Sequence, residues 1–293
     1  MGDSMKKYLK IFIALALVFL LCSCDMLIEY TEETPSGTLA VHYLDVGQGD
    51  SIFIELPNSK TMLIDSGENY HGEGIINYIN SCGKSKIDYL IATHPHTDHI
   101  GSMAYVVRHM DIGEVYMPRV STSTRTYENL LDSIFDKGLK IKSATAGTSV
   151  LKEGDLKIEV LAPVTIYEDD LNNCSVILKI TYKDRSFLFT GDAEEKEFDE
   201  VYLDMTADVL KVAHHGSCTS TTEDILERIN PEIAVISLGT DNEYGHPHKS
   251  TMKHLNNYEC EIYRTDKDKT IKISTDGYSL EVETDRPSIE RAK

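Results

Sequence analysis

The sequence contains no tryptophan and is short of basic residues. Its 293 residues include 29 lysines and arginines against 48 aspartates and glutamates, for a net charge of −19. Basic proteins bind nucleic acid by releasing its counterions, whereas an acidic surface repels it. The composition therefore argues against tight sequence-independent DNA binding. A nuclease is still compatible with this composition, because bound divalent cations would reverse the charge locally.

Long apolar runs are also scarce. Residues 11–21 form an apolar stretch after Lys6, Lys7 and Lys10, too short to span a bilayer comfortably, and this pattern predicts a signal peptide. Leu21, Ser23 and Cys24 follow in the spacing of a bacterial lipoprotein box. Residues 1–23 are therefore predicted to be a lipoprotein signal peptide, with an uncleaved anchor helix as the alternative. No channel-forming segments follow, which excludes transport.

The mature chain is expected to begin with a lipid on Cys24 and a polar tether over residues 24–37. This predicts anchoring to the extracytoplasmic face of the cell membrane. Four of the six cysteines lie beyond Cys24 and are widely spaced. A chain of this size needs no disulfide. We expect mostly free, buried thiols that are not metal ligands at Cys82, Cys174, Cys218 and Cys260.

Strand and helix patterns alternate from residue 38 onward. Strands are predicted at 39–46, 51–56, 61–65, 87–93, 156–161, 174–182, 186–190, 208–213 and 232–237, with a small strand group at 260–283. Helices are predicted at 73–82, 101–110, 125–138, 193–204, 221–230 and 249–258. Glu194, Glu195 and Glu197 are expected to face solvent. Mixed elements in this order predict an α/β domain of sheets covered by helices over residues 38–285, followed by a tail at 286–293.

Three histidines and a carboxylate fall within six residues, directly after the apolar run 87–92. In an extended chain, residues two apart project to the same side, so His94 and His96 can share one metal ion. Asp98 and His99, where the chain turns, can hold a second ion. Imidazole and carboxylate suit zinc, manganese or iron. No Ser-His-Asp set, Cys-His set or phosphate loop competes with this interpretation.

Further motifs accompany this His loop in a fixed order. They are VHYLDVGQGDS at 41–51, LIDSG at 63–67, NNCSVIL at 172–178, FTGD at 189–192, LKVAHHGS at 210–217 and YGHPH at 244–248. Together they resemble the metallo-β-lactamase superfamily, and within it the extracellular hydrolase domain of ComEC-like competence DNA-uptake proteins and its free-standing relatives. The resemblance implies a four-layer αββα sandwich with its site at one edge of the paired sheets.

The resemblance also implies that Asp192 bridges two metal ions, although an aspartate before a helix can serve as its N-cap. His214 and His215 end a predicted strand, where neighbours face opposite ways, so only one of them should ligate. We predict His215 as the ligand. His214 would then orient a ligand or contact the substrate.

A third histidine of the first metal, present in many members of the superfamily, is missing here. The interval before Asp192 contains only His109, in a helical pattern, and Asn173 stands where this branch carries asparagine. An amide oxygen is the weaker ligand, so the first ion should be exchangeable, and manganese or magnesium becomes compatible there beside zinc.

The other candidate residues surround the ligands. Asp65 is expected to support the His loop from behind, and Ser217 to lie beside the ligands or substrate. His246 and His248 flank a proline and are predicted to contact substrate or donate a proton. Asp98 is expected to help orient the attacking water as well.

Two divalent cations sharing a water would generate hydroxide at neutral pH. The sequence therefore predicts a surface-anchored binuclear hydrolase of phosphodiesters, either nucleic acid or nucleotides, without a stable protein partner. One alternative is a phosphorylcholine- or teichoic-acid-type esterase of the cell envelope, whose choline cage would depend on the 16 tyrosines. A lactone, thioester or β-lactam hydrolase is disfavoured by the missing histidine. A non-catalytic binding lipoprotein is disfavoured by the intact ligand motifs.

Overall fold

A computed structural model describes residues 37–289 and 291. The predicted signal peptide, Cys24 and nearly all of the tether lie outside these residues. Within the described part, no helix has the length and apolar character needed to cross a membrane.

The strands form two mixed sheets. In chain order they are β1 (Leu39–Tyr43), β2 (Ile52–Glu55), β3 (Thr61–Ile64), β4 (Lys86–Ile91), β5 (Asp111–Met117), β6 (Ile141–Ser143), β7 (Ser149–Glu153), β8 (Leu156–Ala162), β9 (Ile177–Tyr182), β10 (Arg185–Phe189), β11 (Val209–Lys211), β12 (Ile233–Ile236), β13 (Glu261–Arg264), β14 (Thr270–Thr275) and β15 (Leu280–Arg286). The first sheet has the order β15-β14-β1-β2-β3-β4-β5-β6, and the second β13-β12-β11-β10-β9-β8-β7. Strands β3 to β6 are parallel to one another, as are β10 to β13.

Helices cover the outer face of each sheet. Those of the described part are α1 (Gly72–Ser81), α2 (Thr97–Ile100), α3 (Met103–His109), α4 (Arg125–Asp136), α5 (Glu195–Glu200), α6 (Glu223–Ile229), α7 (Lys249–Asn257) and α8 (Thr265–Asp268). One apolar cluster joins the first sheet to α1, α3 and α4, and another joins the second sheet to α5, α6 and α7.

A third apolar cluster fills the space between the sheets. The alternation of the strands produces this division, since successive side chains point to opposite faces. In β2, for example, Ile52 and Ile54 belong to the cluster between the sheets, whereas Phe53 packs toward the helices. Helix, sheet, sheet and helix therefore form four layers, which confirms the predicted αββα sandwich.

The carboxyl ends of the parallel strands converge at one edge of the sandwich. The His loop follows β4, Asp192 follows β10, and His214 and His215 follow β11. Carboxyl ends of neighbouring parallel strands meet at the same edge, where ligands of open α/β sheets bind. This edge therefore collects the candidate residues from both sheets.

The observed elements are shorter than predicted where short turns interrupt them. Residues Asn172–Cys174 form a 3-10 turn, so β9 begins only at Ile177, and the acidic helix covers Glu195–Glu200 alone. The expectation that Glu197 faces solvent is wrong. Its side chain is 2% exposed because the helix packs against this turn, and burial raises the pKa of its carboxyl well above the usual range.

Most of the described cysteines, and the described end of the chain at Ile289, are buried. The four cysteines of the described part are free; Cys82, Cys174 and Cys260 are buried, whereas Cys218 is exposed. Beyond β15, Ile289 is buried and its N–H donates to the carbonyl of Asp45 at 2.8 Å.

Candidate metal centre

The loop after β4 carries two converging imidazoles. His94 is fully buried, and its Nε2 lies 3.0 Å from Nδ1 of His96. The other ring nitrogen of His94 contacts the hydroxyl groups of Thr93 at 3.2 Å and Ser175 at 3.3 Å. These hydroxyls fix the ring, so that one nitrogen of each histidine faces a common point that a single cation could occupy.

Asp98 and His99 lie in α2 and face a second point. Oδ2 of Asp98 is 3.7 Å from Nε2 of His99 and 3.3 Å from Nε2 of His215. With Asp192 these residues form a group whose potential ligand atoms all lie within 4.8 Å of one another. Two imidazoles and two carboxylates at this spacing match the needs of one divalent ion.

Asp192 stands between the two points. Its Oδ1 lies 3.2 Å from Nε2 of His99 and 3.5 Å from Nε2 of His215, and its Oδ2 lies 4.0 Å from Nε2 of His94. Gly191 precedes it with φ +50°, and a Cβ at that glycine would lie only 3.0 Å from Cβ of Thr93. The tight glycine turn therefore places one carboxylate between both sets of imidazoles.

Unpartnered polar atoms indicate that cations belong here. Oδ1 of Asp192, Nε2 of His99 and Nε2 of His215 are buried, and none has a hydrogen bond of acceptable geometry within the described residues. Buried polar atoms are nearly always paired, and leaving them unpaired is costly. The donor set of imidazole and carboxylate, with its unused atoms aimed at one another, fits two divalent metal ions.

The titration of the cluster reflects the same excess of negative charge. Burial works to lower the pKa of His99, but the surrounding carboxylates, Asp192 foremost, raise this pKa well above its ordinary value. Burial works to raise the pKa of Asp192, but His99 and His215 lower it well below the usual range. The carboxylates thus attract positive charge, which protons on the imidazoles or divalent cations can supply.

Asp65 supports the loop from behind. It adopts a left-handed backbone, with φ 57°. Its carboxylate accepts hydrogen bonds from the N–H of Thr93 at 2.8 Å and the hydroxyl of Thr93 at 2.6 Å, and it contacts Nδ1 of His99 at 2.8 Å. Because Nδ1 of His99 contacts Asp65, its Nε2 is directed at Asp192. A carboxylate behind a metal-ligating histidine orients the ring in this way.

His214 and His215 both lie at the site, but in a turn and not at the end of a strand as predicted. Strand β11 ends at Lys211, and the two histidines occupy a turn, with φ 49° and 53°, so the alternation of strands does not apply. His215 is buried, with its Nδ1 2.9 Å from the carbonyl of Ser237. His214 is partly exposed, and its Nε2 lies 3.7 Å from Oδ2 of Asp192. Both rings therefore approach the bridging position.

Asn173 supports the turn beside the ligands and does not offer its oxygen to a metal ion. Its amide oxygen accepts hydrogen bonds from the N–H groups of Glu194 and Glu197, both at 3.2 Å. Both lone pairs are used in this way, so the oxygen caps the start of α5 and is not available as a ligand. Ser217 is buried, and its hydroxyl lies 3.0 Å from that of Thr219, where it stabilises the turn after His215.

His246 borders the site, whereas His248 lies behind it. The ring of His246 is 5.7 Å from that of His214 and 6.3 Å from that of His215. Nδ1 of His248 accepts the N–H of Cys218 at 2.9 Å, and its ring packs edge-on against His246. The contacts of His248 are therefore those of a support for His246.

A buried ion pair beneath the ligands went unrecognised in the sequence. The side chains of Asp50 and Lys211 are 1% and 0% exposed, and the ammonium of Lys211 bonds directly to Oδ2 of Asp50. Oδ1 of Asp50 lies 3.5 Å from Nδ1 of His215. The only sequence signal was that Asp50 lies within the first motif and that a lysine interrupts the apolar residues 209–213.

A cavity of about 360 Å³ opens onto the cluster. Besides the candidate ligands it is lined by Gln48, Thr97, Asn172 and Tyr244. Asn172, not Asn173, is thus the asparagine of this turn that faces the site. The sequence held both, and nothing in their spacing distinguished them.

Comparison with known proteins agrees with this geometry. The sequence profile of the metallo-beta-lactamase superfamily matches residues 44–240. The chain belongs to this superfamily of metal-dependent hydrolases, whose fold typically holds two divalent metals, as the resemblance predicted.

Its relatives include Competence protein ComA of Neisseria gonorrhoeae, to which it is 26% identical over 240 residues, covering 80% of this chain and 32% of the relative. The chain is 32% identical over 272 residues to ComE operon protein 3 of Bacillus subtilis, covering 86% of this chain and 35% of the relative. It is 28% identical over 276 residues to Recombination protein 2 of Haemophilus influenzae, covering 92% and 32%. The chain thus spans about a third of the length of these relatives.

Solved structures share the fold at low identity. The diiron β-hydroxylase CmlA of Streptomyces venezuelae superposes with a TM-score of 0.53 at 16% identity, over 80% of this chain and 53% of CmlA. Igni18, a metallo hydrolase of Ignicoccus hospitalis, superposes with a TM-score of 0.51 at 16% identity, over 80% of this chain and 98% of that one.

Proposed function

We propose that the chain hydrolyses phosphodiesters of nucleic acids or nucleotides. The observation that carries this proposal is Asp192, whose two oxygens face two separate sets of imidazoles at the floor of an open cavity. Two metal sites joined by one carboxylate are the arrangement with which many enzymes clamp the attacking and leaving oxygens of a phosphate ester. The names of its relatives refer to competence and recombination, which favours a nucleic-acid substrate.

The residues divide into two candidate ligand sets. His94 and His96 would hold one ion and Asp98, His99 and His215 the other, with Asp192 between them. Zinc or manganese suits these donors. When bound, the two ions neutralise phosphate charge and lower the pKa of water.

The chain's own groups position the reactants. Asp98 is partly exposed to the cavity, and its Oδ2 can accept a hydrogen bond from an attacking water while His215 holds it in place at 3.3 Å. Burial and the neighbouring imidazoles, His215 first, lower the pKa of His246 to about 4. His246 is therefore neutral at pH 7, and it can accept a proton or a hydrogen bond at the cavity edge.

A substrate panel tests the proposal. The full chain, purified in detergent and supplied with manganese or zinc, is incubated at equal enzyme concentration with bis(p-nitrophenyl) phosphate, a β-lactam, a thioester and p-nitrophenyl phosphorylcholine. We expect hydrolysis of bis(p-nitrophenyl) phosphate above the other three substrates, and about two ions per chain by elemental analysis. Efficient cleavage of the β-lactam, the thioester or the choline ester, without any cleavage of bis(p-nitrophenyl) phosphate, would overturn the proposal.

The alternative of a phosphorylcholine esterase has one observation in its favour. Tyr244 offers an exposed aromatic face at the cavity, and a quaternary ammonium binds such faces. A cage requires several rings, however, and the other residues that line the cavity are polar or imidazole side chains. The choline ester in the panel decides between the two.

We further propose that the protein is anchored to the extracytoplasmic face of the cell membrane through lipid on Cys24. The lipoprotein-box pattern at residues 21–24 supports this. Mass spectrometry of the protein from its host should find residues 1–23 removed and acyl chains on Cys24, and Cys24→Ala should leave an unlipidated precursor. Residues 1–23 still attached without acyl chains would favour the uncleaved anchor helix.

A further inference from the structure

Tyr244 combines exposure with a position at the metal centre. Its side chain is 66% exposed, yet it lines the cavity that contains Asp98, Asp192 and His215. Single exposed aromatics are common on protein surfaces and need no function. Other strongly exposed tyrosines of the described part, such as Tyr202 and Tyr278, line no part of this cavity. The position of Tyr244 therefore distinguishes it.

The ring of Tyr244 is held in place from below. It stacks on His246 with ring centres 5.6 Å apart and planes 21° apart. The backbone of His246 is fixed by the side chain of Asn242, whose amide donates to its carbonyl at 2.8 Å and accepts its N–H at 2.9 Å. His246 in turn packs edge-on against His214. One face of the tyrosine is thus supported by the ligand cluster, and the rest of the ring is open to solvent.

The cavity offers little else to bind a phosphate chain. Among the residues that the structure describes, none that lines it is a lysine or arginine. The usual source of nucleic-acid affinity, neutralisation of backbone phosphates by basic side chains, is therefore missing at this cavity. Gln48 also lines it, and Nε2 of Gln48 is a buried donor with no hydrogen-bond partner among the described residues.

We propose that Tyr244 is a stacking platform for a nucleobase next to the scissile phosphodiester, with Gln48 available to bond the nucleoside. Any of the bases can stack on an exposed aromatic ring, because each has a planar π-face, so such stacking does not depend on the nucleic-acid sequence. Bases in a duplex are already stacked on each other, so the platform selects single strands, strand ends and nucleotides. This inference rests on the proposed phosphodiesterase function and names the substrate class for it.

Two esters with the same leaving group test the platform. The full chain, supplied with manganese or zinc, is assayed with thymidine 5′-(p-nitrophenyl phosphate), which carries a base, and with methyl p-nitrophenyl phosphate, which does not. Tyr244→Ala should lower kcat/KM for the thymidine ester by about tenfold or more, since stacking on an aromatic ring is worth that much per base. The methyl ester should change by less than about twofold by the same argument. Tyr244→Trp should retain the preference for the thymidine ester, and Tyr202→Ala, which removes an equally exposed ring elsewhere, should change neither rate.

Equal losses on both esters would overturn the inference, because they would indicate a general disturbance of the loop. Unchanged rates on both would overturn it as well. A selective loss on p-nitrophenyl phosphorylcholine instead of the thymidine ester would show that the ring binds a quaternary ammonium.

A binding measurement separates this inference from the proposed function. Thymidine 5′-monophosphate and methyl phosphate are titrated calorimetrically into wild type and Tyr244→Ala, both loaded with metal. If wild type hydrolyses neither ester, the phosphodiesterase proposal fails. The platform then stands only if wild type binds thymidine monophosphate at least about tenfold more tightly than methyl phosphate and the variant loses this difference. Equal binding of the two ligands by wild type rejects it.

Discussion

Two clusters of histidine and carboxylate in the described part of the chain share no residue, and only one of them has the character of a metal site. The first consists of Asp98, His99, Asp192 and His215 at the edge of the sandwich. The second consists of His42, Glu55 and Cys82, between the first sheet and α1. In both clusters the potential ligand atoms lie within 4.8 Å of one another. Residue type and spacing alone therefore do not separate them.

The clusters differ in the positive charge that already surrounds them. Oε2 of Glu55 lies 3.2 Å from the ammonium of Lys84, and Nδ1 of His42 is 2.9 Å from the hydroxyl of Tyr78. Burial lowers the pKa of His42, and Lys272 contributes in the same direction despite Glu55. At the sandwich edge, carboxylates raise the pKa of His99 instead. A cation is attracted where carboxylates outnumber the fixed positive charges, and the edge cluster alone opens onto a cavity.

The largest expected effect comes from Asp192. Asp192→Asn removes the negative charge of the bridging position, so metal content should fall below two ions per chain. Diester hydrolysis should fall by roughly a thousandfold or more, about 4 kcal/mol of barrier. Elemental analysis and initial rates measure this, with the exposed Glu195→Gln as a matched control. If the variant keeps the metal content and rate of wild type, the edge cluster is not the metal site that distinguishes it from the second cluster.

Removal of the Lys211 ammonium should cause the largest loss of unfolding free energy at the metal-site edge. Lys211→Met leaves the carboxylate of Asp50 buried without its ammonium, at a cost of about 3–5 kcal/mol. Denaturant unfolding measures the loss. The double variant Asp50→Asn with Lys211→Met should recover much of it, because no unpaired charge then remains. A single variant as stable as wild type would show that metal ions or water already compensate Asp50.

The cluster of His42, Glu55 and Cys82 should contribute to stability without contributing to metal content. His42→Gln disturbs buried contacts with Tyr78 and Glu55, and we expect a loss of about 1–3 kcal/mol. Two ions and full activity should be retained. A second ion count that falls in this variant would mean that both clusters bind metal.

His42 also predicts a dependence on pH. Burial holds the pKa of its imidazole below the ordinary value of about 6.5, so folding favours the neutral ring. The stability it contributes is present above that value and declines as the pH falls below it through the folded-state value. Between pH 7.5 and 5.5, wild type should therefore lose more unfolding free energy than His42→Gln. Parallel pH profiles would show that this ring does not titrate on unfolding.

The smallest expected effect distinguishes the two asparagines of the 3-10 turn. Asn173→Ala removes the acceptor for two N–H groups at the start of α5 and should cost about 1 kcal/mol, as loss of a helix cap does. Its metal content should remain at two ions. Asn172→Ala should leave stability nearly unchanged but alter rates at the cavity. Loss of a metal ion in Asn173→Ala without loss of stability would show that Asn173 is a ligand.

Local geometry explains which parts of the site could be predicted. Spacing within 94–99 depends only on an extended segment and the start of a helix, so the pairing of His94 with His96 could be inferred from the sequence. The turn at His214 and His215 could not, since it packs closely on a distant segment: a Cβ at Gly216 would lie 2.6 Å from Cβ of Pro247. Long-range packing of this kind leaves no local signal.

The same reason accounts for the other differences. Asp50 and Lys211 belong to different sheets, and their contact requires the whole sandwich. Burial of Glu197 depends on a short turn that interrupts a strand-like pattern. The fold class, by contrast, follows from the order of strands and helices and from alternation within strands such as β2, and these are read along the chain.

The candidate ligands come from both halves of the sandwich. His94, His96, Asp98 and His99 follow a strand of the first sheet, whereas Asp192 and His215 follow strands of the second. Ions bound between them would join the sheets at this edge, and any species that binds only the native state raises its unfolding free energy, by about 4 kcal/mol at a thousandfold excess over Kd. Resistance to proteases would then follow the supply of metal in the surroundings, so that scarcity removes the protein as well as its activity.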